Sequence, residues 1–141
     1  MNQQIILRVM AKLFIPFILL FALYVQFHGD YGPGGGFQAG VIFAAAFVLY
    51  GLVFGVEAAQ RIASPSLLLA CAAFGILLYA GTGVAGILLQ GNFLDYGVLD
   101  GHDPVHGQHL GILLVELGVG ITVAAVMIIT FLCFAGRKRS T

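Results

Sequence analysis

Four apolar stretches, each long enough to cross a bilayer, take up most of this 141-residue chain and decide the solvent it folds in. They run over Ile5–Phe27, Phe37–Val56, Leu67–Leu89 and Leu110–Phe134. An α-helix rises about 1.5 Å per residue, so roughly 20 apolar residues cross a hydrocarbon core of about 30 Å. Hydrophobic residues make up 60% of the chain and charged residues 9%, with a mean hydropathy of +1.04. In lipid every backbone polar group must be paired internally, which leaves helices for segments of this length. The sequence therefore predicts an all-α integral membrane protein with four transmembrane helices, forming one domain over residues 1–141.

Charge sets the expected orientation. The six basic residues fall in three places: Arg8 and Lys12, then Arg61, then Arg137, Lys138 and Arg139. The other two connections carry none. They hold Asp30, Asp95, Asp100 and Asp103 with most of the histidines. The positive-inside bias then predicts both termini in the cytoplasm. A net charge of zero gives no electrostatic reason to expect a nucleic-acid partner. Phe27-His28-Gly29-Asp30 offers no small-residue cleavage site, so the first stretch reads as a retained helix rather than a leader. Cys71 and Cys133 lie inside apolar segments and read as packing residues.

The most distinctive local feature is His28-Gly29-Asp30-Tyr31-Gly32-Pro33-Gly34-Gly35-Gly36-Phe37, which cannot continue as a regular helix. It is not a nucleotide loop: no Lys-Ser/Thr ending follows, only Phe37-Gln38. Gly32, Gly36 and Gly40 recur every fourth residue, and Gly51 and Gly55 repeat the spacing. Such small-residue faces stabilise helix pairs in lipid through close backbone contact. Ser64-Pro65-Ser66 is expected to open the third helix, and Pro16 to kink the first.

Glu116 is the strongest single candidate for function. Counted from Leu110 it lies six residues into the last helix, about 9 Å along it. An intramembrane carboxylate is costly and faces either a protein interior or an ion path. Two roles stay open at this point, a place in a cation or proton route and a neutral hydrogen bond holding an interface. His28 and Asp30 sit at the same membrane face and join it as candidates for the route. Glu57 and Arg61 are spaced for an i,i+4 ion pair. His102, His106 and His109 invite a metal, but Pro104 is expected to break the helix that would align them. A hydrogen-bonded outer loop is the better reading, and no metal or cofactor is expected. Tyr24, Phe27, Tyr31, Phe37, Phe93 and Tyr96 read as an interfacial aromatic belt. No nucleophile–base pair stands out, so an autonomous enzyme is not expected. No internal repeat supports a self-sufficient carrier either.

The motif His28…Pro33-Gly34-Gly35-Gly36-Phe37-Gln38-Ala39-Gly40-Val41 resembles one found in the B subunit of multi-subunit Mrp/Mnh-type Na⁺/H⁺ antiporters. Leu114-Val115-Glu116-Leu117-Gly118-Val119 resembles that family's second motif, an acidic residue before a hydrophobic-Gly-Val step. Here five residues separate the histidine from the proline where many members have three, and Ala39 stands where glycine is common. The resemblance spans nearly the whole chain. It implies a small subunit of a hetero-oligomeric complex, with other membrane subunits, Na⁺, H⁺ and membrane lipids as partners. Large antiporter-like subunits would carry protons, while small ones help form the sodium path or stabilise assembly. Pro33, Gly34, Gly35, Gly36, Phe37, Gly40 and Gly118 would then serve structure and subunit contact. The same module occurs in membrane-bound hydrogenase-type complexes, so an ion-pumping arm of a redox complex is the alternative, and a purely structural subunit the third reading.

Overall fold

In the computed structural model, which describes residues 2–29 and 32–137, the regular elements are all helical. They are α1 (Asn2–His28), α2 (Gly36–Phe54), a short α3 (Val56–Ile62), α4 (Pro65–Leu88), one 3₁₀ turn (Tyr96–Leu99) and α5 (Pro104–Ala135). Four of them, α1, α2, α4 and α5, are long and apolar enough to cross a membrane.

Local chemistry explains the boundaries. α2 begins where Gly35 takes φ +113°, a backbone that a side chain would strain, and it ends at Gly55, with φ +99°. Ser64 caps α4 through its hydroxyl, which accepts from the Leu67 amide at 3.3 Å, and Pro65 opens the first turn as expected. α1 runs through Pro16 without ending.

Two expectations need correction. The second apolar stretch ends as a helix at Phe54, because Gly55 turns the chain; Glu57 and Arg61 belong to the separate α3, and no ion pair joins them. The last helix starts at Pro104, six residues before Leu110. Proline breaks a helix interior but suits its first turn, where its missing N–H costs nothing. Asp103 caps that turn, its Oδ1 accepting from the Val105 amide at 2.9 Å and the His106 amide at 3.4 Å.

The long helices stand in the row α1–α2–α5–α4, each packed chiefly on its neighbour. Glycines set the close approaches. A Cβ on Gly40 would lie 2.7 Å from the Gly120 carbonyl oxygen; one on Gly118 would lie 2.8 Å from that of Gly75. Gly51 faces the Phe131 ring. The expected every-fourth-residue stripe is thus partly a packing face: Gly36, Gly40 and Gly51 make it. Gly32 lies in the loop beside the His28 ring, and Gly55 would meet nothing within 4 Å. The buried core gathers at the end where α2 leads into α3, around Ala44, Ala59, Leu68, Ile128 and Leu132. Large apolar side chains such as Phe17, Leu20, Leu52, Leu77 and Leu88 point outward, as lipid or partner contacts require.

The helices are unequal. α5, with 32 residues, is about 48 Å long, whereas α2, with 19, is about 28 Å. Gly36, at the start of α2, meets the backbone of Glu116 rather than the start of α5. The first three turns of α5 and the outer part of α4 therefore stand beyond the α1–α2 loop. The 89–103 connection folds back on them, with the Phe93 ring over Gly83 and the Tyr96 ring over Gly111. Those two aromatics, read from sequence as belt residues, thus fill glycine gaps in the α4–α5 hairpin.

Candidate functional site

Two segments about eighty residues apart in sequence come together at Glu116. The outer end of α1 is held to the glycine loop by backbone bonds: Gly35 N–H donates to the Val25 carbonyl and Gly32 N–H to the His28 carbonyl, each at 3.2 Å. This folds Gly34 over the end of α1 and turns Gly29 and Gly35 toward α5. There they face the Glu116 side chain. A Cβ on Gly29 would sit 2.5 Å from each Glu116 carboxyl oxygen, and one on Gly35 would sit 3.1 Å from Oε1. A Cβ on Gly36 would overlap the Glu116 carbonyl oxygen. The missing side chains of three glycines make the space that the half-buried Glu116 occupies. Gln38 reaches the same place, its Oε1 being 3.6 Å from the position of a Gly35 Cβ.

Glu116 lies twelve residues past Pro104, about 18 Å along α5, twice the depth expected from a start at Leu110. One turn further in, Gly120 faces Gln26 Oε1 and the Gly36 carbonyl. Seven residues toward the start of α5, on the same helix face, stands the exposed His109. Gly118 points away, to Gly75 and Tyr79 of α4, so that glycine serves helix packing. Beside it the Thr122 hydroxyl donates to the Gly118 carbonyl at 2.8 Å.

Of the three residues expected on an ion route, the structure places Glu116 in the glycine cradle and His28 at its edge. The His28 ring stacks on Tyr24 with centroids 5.0 Å apart and borders Gly32. Asp30 lies outside the described residues, as does Tyr31. Pro33 and Gly34 shape the loop, and Phe37 projects outward from the first turn of α2. Sequence reading missed Gly29 and Gln26. The signal for Gln26 was present: it is the one amide in the otherwise apolar run from Leu13 to Phe27. For Gly29 nothing in the sequence told which of the loop glycines would meet the carboxylate.

The histidine-rich connection is a separate structure. Asp100 Oδ1 accepts from the His102 amide at 3.0 Å and the Asp103 amide at 3.3 Å, while its Oδ2 lies 2.8 Å from His106 Nδ1. The His102 amide, then the His106 ring and the Asp103 amide, hold the Asp100 carboxyl below its ordinary value. A depressed carboxylate stabilises its loop above the unfolded-state pKa and loses that effect as pH falls through the folded one. The turn is thus expected to hold from neutral pH through the ordinary carboxylate range and to loosen only in stronger acid. Amide exchange at His102 and Asp103, followed across a pH series, checks this; protection lost between pH 7 and 5 would show that Asp100 does not hold the turn. Among the described residues, no three His, Cys, Asp or Glu side chains gather as a metal-ligand group.

A family model described as a domain related to the MnhB subunit of Na⁺/H⁺ antiporter matches residues 6–129. The chain belongs to the MnhB family. A relative from Staphylococcus haemolyticus (strain JCSC1435), named "Putative antiporter subunit mnhB2", is 32% identical over 139 residues, which cover 97% of this chain and 98% of the relative. A protein of the same name from Staphylococcus aureus (strain Newman) is 33% identical with the same coverage. The match of this MnhB-family chain takes in both the glycine loop and Glu116.

Proposed function

We propose that this chain is the B-type subunit of a multi-subunit Na⁺/H⁺ antiporter in a prokaryotic cytoplasmic membrane, with both termini cytoplasmic. Within it, Glu116 serves a cation or proton route. The observation that carries this reading is the seating of the Glu116 carboxylate against Gly29 and Gly35, with Gly36 packed on its backbone and the Gln38 side chain close by. A carboxylate placed so binds a proton or a small hard cation in turn, and that competition is what exchange requires. Backbone carbonyls of a glycine-rich segment are oxygen ligands suited to such a cation. His28 and Asp30 are the groups through which this site would meet the outer side.

The orientation is supported by Lys12, whose Nζ lies 5.8 Å from the centroid of the Phe54 ring. That contact gathers the amino-terminal basic residues and the Arg61 segment at one end of the molecule. The four candidate spanning helices of the described residues show no internal repeat, so a complete carrier would need oligomerisation or other membrane subunits; in this reading exchange depends on the latter.

The test is to tag the chain at its carboxyl end within its native gene cluster, extract in mild detergent, and identify what co-purifies. Large antiporter-like subunits are expected, and deleting this chain alone is expected to abolish Na⁺-dependent proton exchange in inside-out vesicles. Iron–sulfur or hydrogenase subunits in the same complex would overturn the reading in favour of a redox-driven pump. Exchange that survives the deletion would remove the chain from the mechanism.

A further inference from the structure

One side of the helix row carries a groove of about 300 Å³, reaching from α1 across α2 and α5 to α4. Its floor is made of small residues, among them Ala39, Gly40, Gly120 and Ala124. Its lining is apolar with one exception, Gln26 of α1. That side chain is only 7% exposed, its Oε1 is turned toward Gly120, and its Nε2 has no hydrogen-bond partner. An amide donor left unpaired in an apolar surrounding is destabilising, and a native structure pairs nearly all such groups. The last torsion of a glutamine is soft, so the amide is free to turn toward an acceptor brought to the groove.

We propose that this groove seats a transmembrane helix of a partner subunit, and that this helix brings a hydrogen-bond acceptor, a Ser/Thr hydroxyl or an exposed carbonyl, to Gln26. The inference rests on the subunit reading above and adds the face and the chemistry of contact. Three observations favour a helix as the occupant. Gly40 and Gly120 are taken up by packing within the chain, but Ala39 and Ala124 bring only methyl groups to the groove, which lets a second helix approach closely, as helices associate in lipid. A trapped water needs two to four polar partners, and the groove offers a single amide. A lipid carries its acceptors at headgroup level, whereas Gln26 faces Gly120, one turn further in than Glu116. Below Gln26 the groove continues to Leu68, Cys71 and Ile128 without another polar group. An acyl chain would fill it and leave the amide unpaired.

The test uses the intact complex, whose subunits are first confirmed by co-purification, so failure of the subunit reading shows before this one is tried. A benzophenone amino acid is placed at Leu23 or at Ile121, both in the groove, and at Leu52 as an outward control. After irradiation the cross-linked peptides are sequenced. Leu23 and Ile121 are expected to mark one apolar segment of a different subunit, within a helical turn of a Ser, Thr or other acceptor, and Leu52 to mark something else. Gln26→Leu is expected to lower the Leu23 and Ile121 yields about three- to tenfold, the worth of one interhelical hydrogen bond in a membrane. Cross-links to lipid or to a second copy of this chain, no cross-link from an intact complex, or yields indifferent to Gln26→Leu would each overturn the proposal.

Discussion

Replacing Glu116 with glutamine is expected to lower Na⁺-dependent proton exchange by about tenfold or more while the complex still assembles. Glutamine has nearly the shape of the acid and fills the same space against Gly29 and Gly35, so packing on the loop survives. What it lacks is the ability to take up and release a proton or to carry a charge opposite a cation. A tenfold loss corresponds to about 1.4 kcal/mol of transition-state stabilisation, modest for a group at the ion itself. Glu116→Asp keeps the charge but withdraws it by one methylene, and it is expected to retain part of the activity. The measurement is dye-reported proton flux in inside-out vesicles, with the amount of co-purified partner subunits determined on the same membranes. Unchanged flux in the glutamine variant would take Glu116 off the route. Lost flux accompanied by lost partners would assign it to an interface.

Gly36→Ala is the second large effect. The added methyl group has no room, because its position coincides with the Glu116 carbonyl oxygen. That oxygen belongs to a helix backbone and cannot swing aside like a side chain, so α2 and α5 must separate. Overpacking of this kind costs about 1–3 kcal/mol, enough to lower the level of folded chain in the membrane. It also shifts the carboxylate out of its cradle, so exchange should fall further than the folded amount does. Gly81→Ala is the matched control: nothing lies within 4 Å of its Cβ position, and alanine favours the helix. The check is the unfolding midpoint of the purified complex in a denaturing detergent, with specific activity per folded complex. Equal midpoints for the two alanine variants would mean that α2 and α5 are less tightly apposed than the backbone indicates.

The four spans were legible because lipid imposes one rule on every backbone group, and long apolar runs satisfy it in one way. The helix ends were less legible. Pro104 reads as a breaker or as a first-turn residue depending on whether Asp103 caps, and that cannot be told before the turn is seen. Gly55 sits inside an apolar run, and only its positive φ shows that α2 stops there. Glu116 and the glycine loop were each conspicuous alone, since a carboxylate and a proline–glycine cluster are rare company for so much hydrocarbon. Their meeting was not legible, because it depends on the row order of the helices and on how far α5 extends past α2. Gln26 shows the opposite case. Its polarity was in plain view, but its significance comes from where α1 packs.

The unequal helix lengths bear on how membrane voltage acts on this subunit. A low-dielectric layer matched to α2 would be about 28 Å thick there, although α5 beside it runs about 48 Å. A potential drops across the thin, poorly conducting part of a structure. With the proposed orientation, Glu116 stands at the outer edge of that layer, nearly at the external potential. An ion reaching it from outside does little electrical work; the work, about 2.3 kcal/mol per charge for each 100 mV, falls on the passage from Glu116 inward. Binding at the site should then respond weakly to voltage, and turnover strongly.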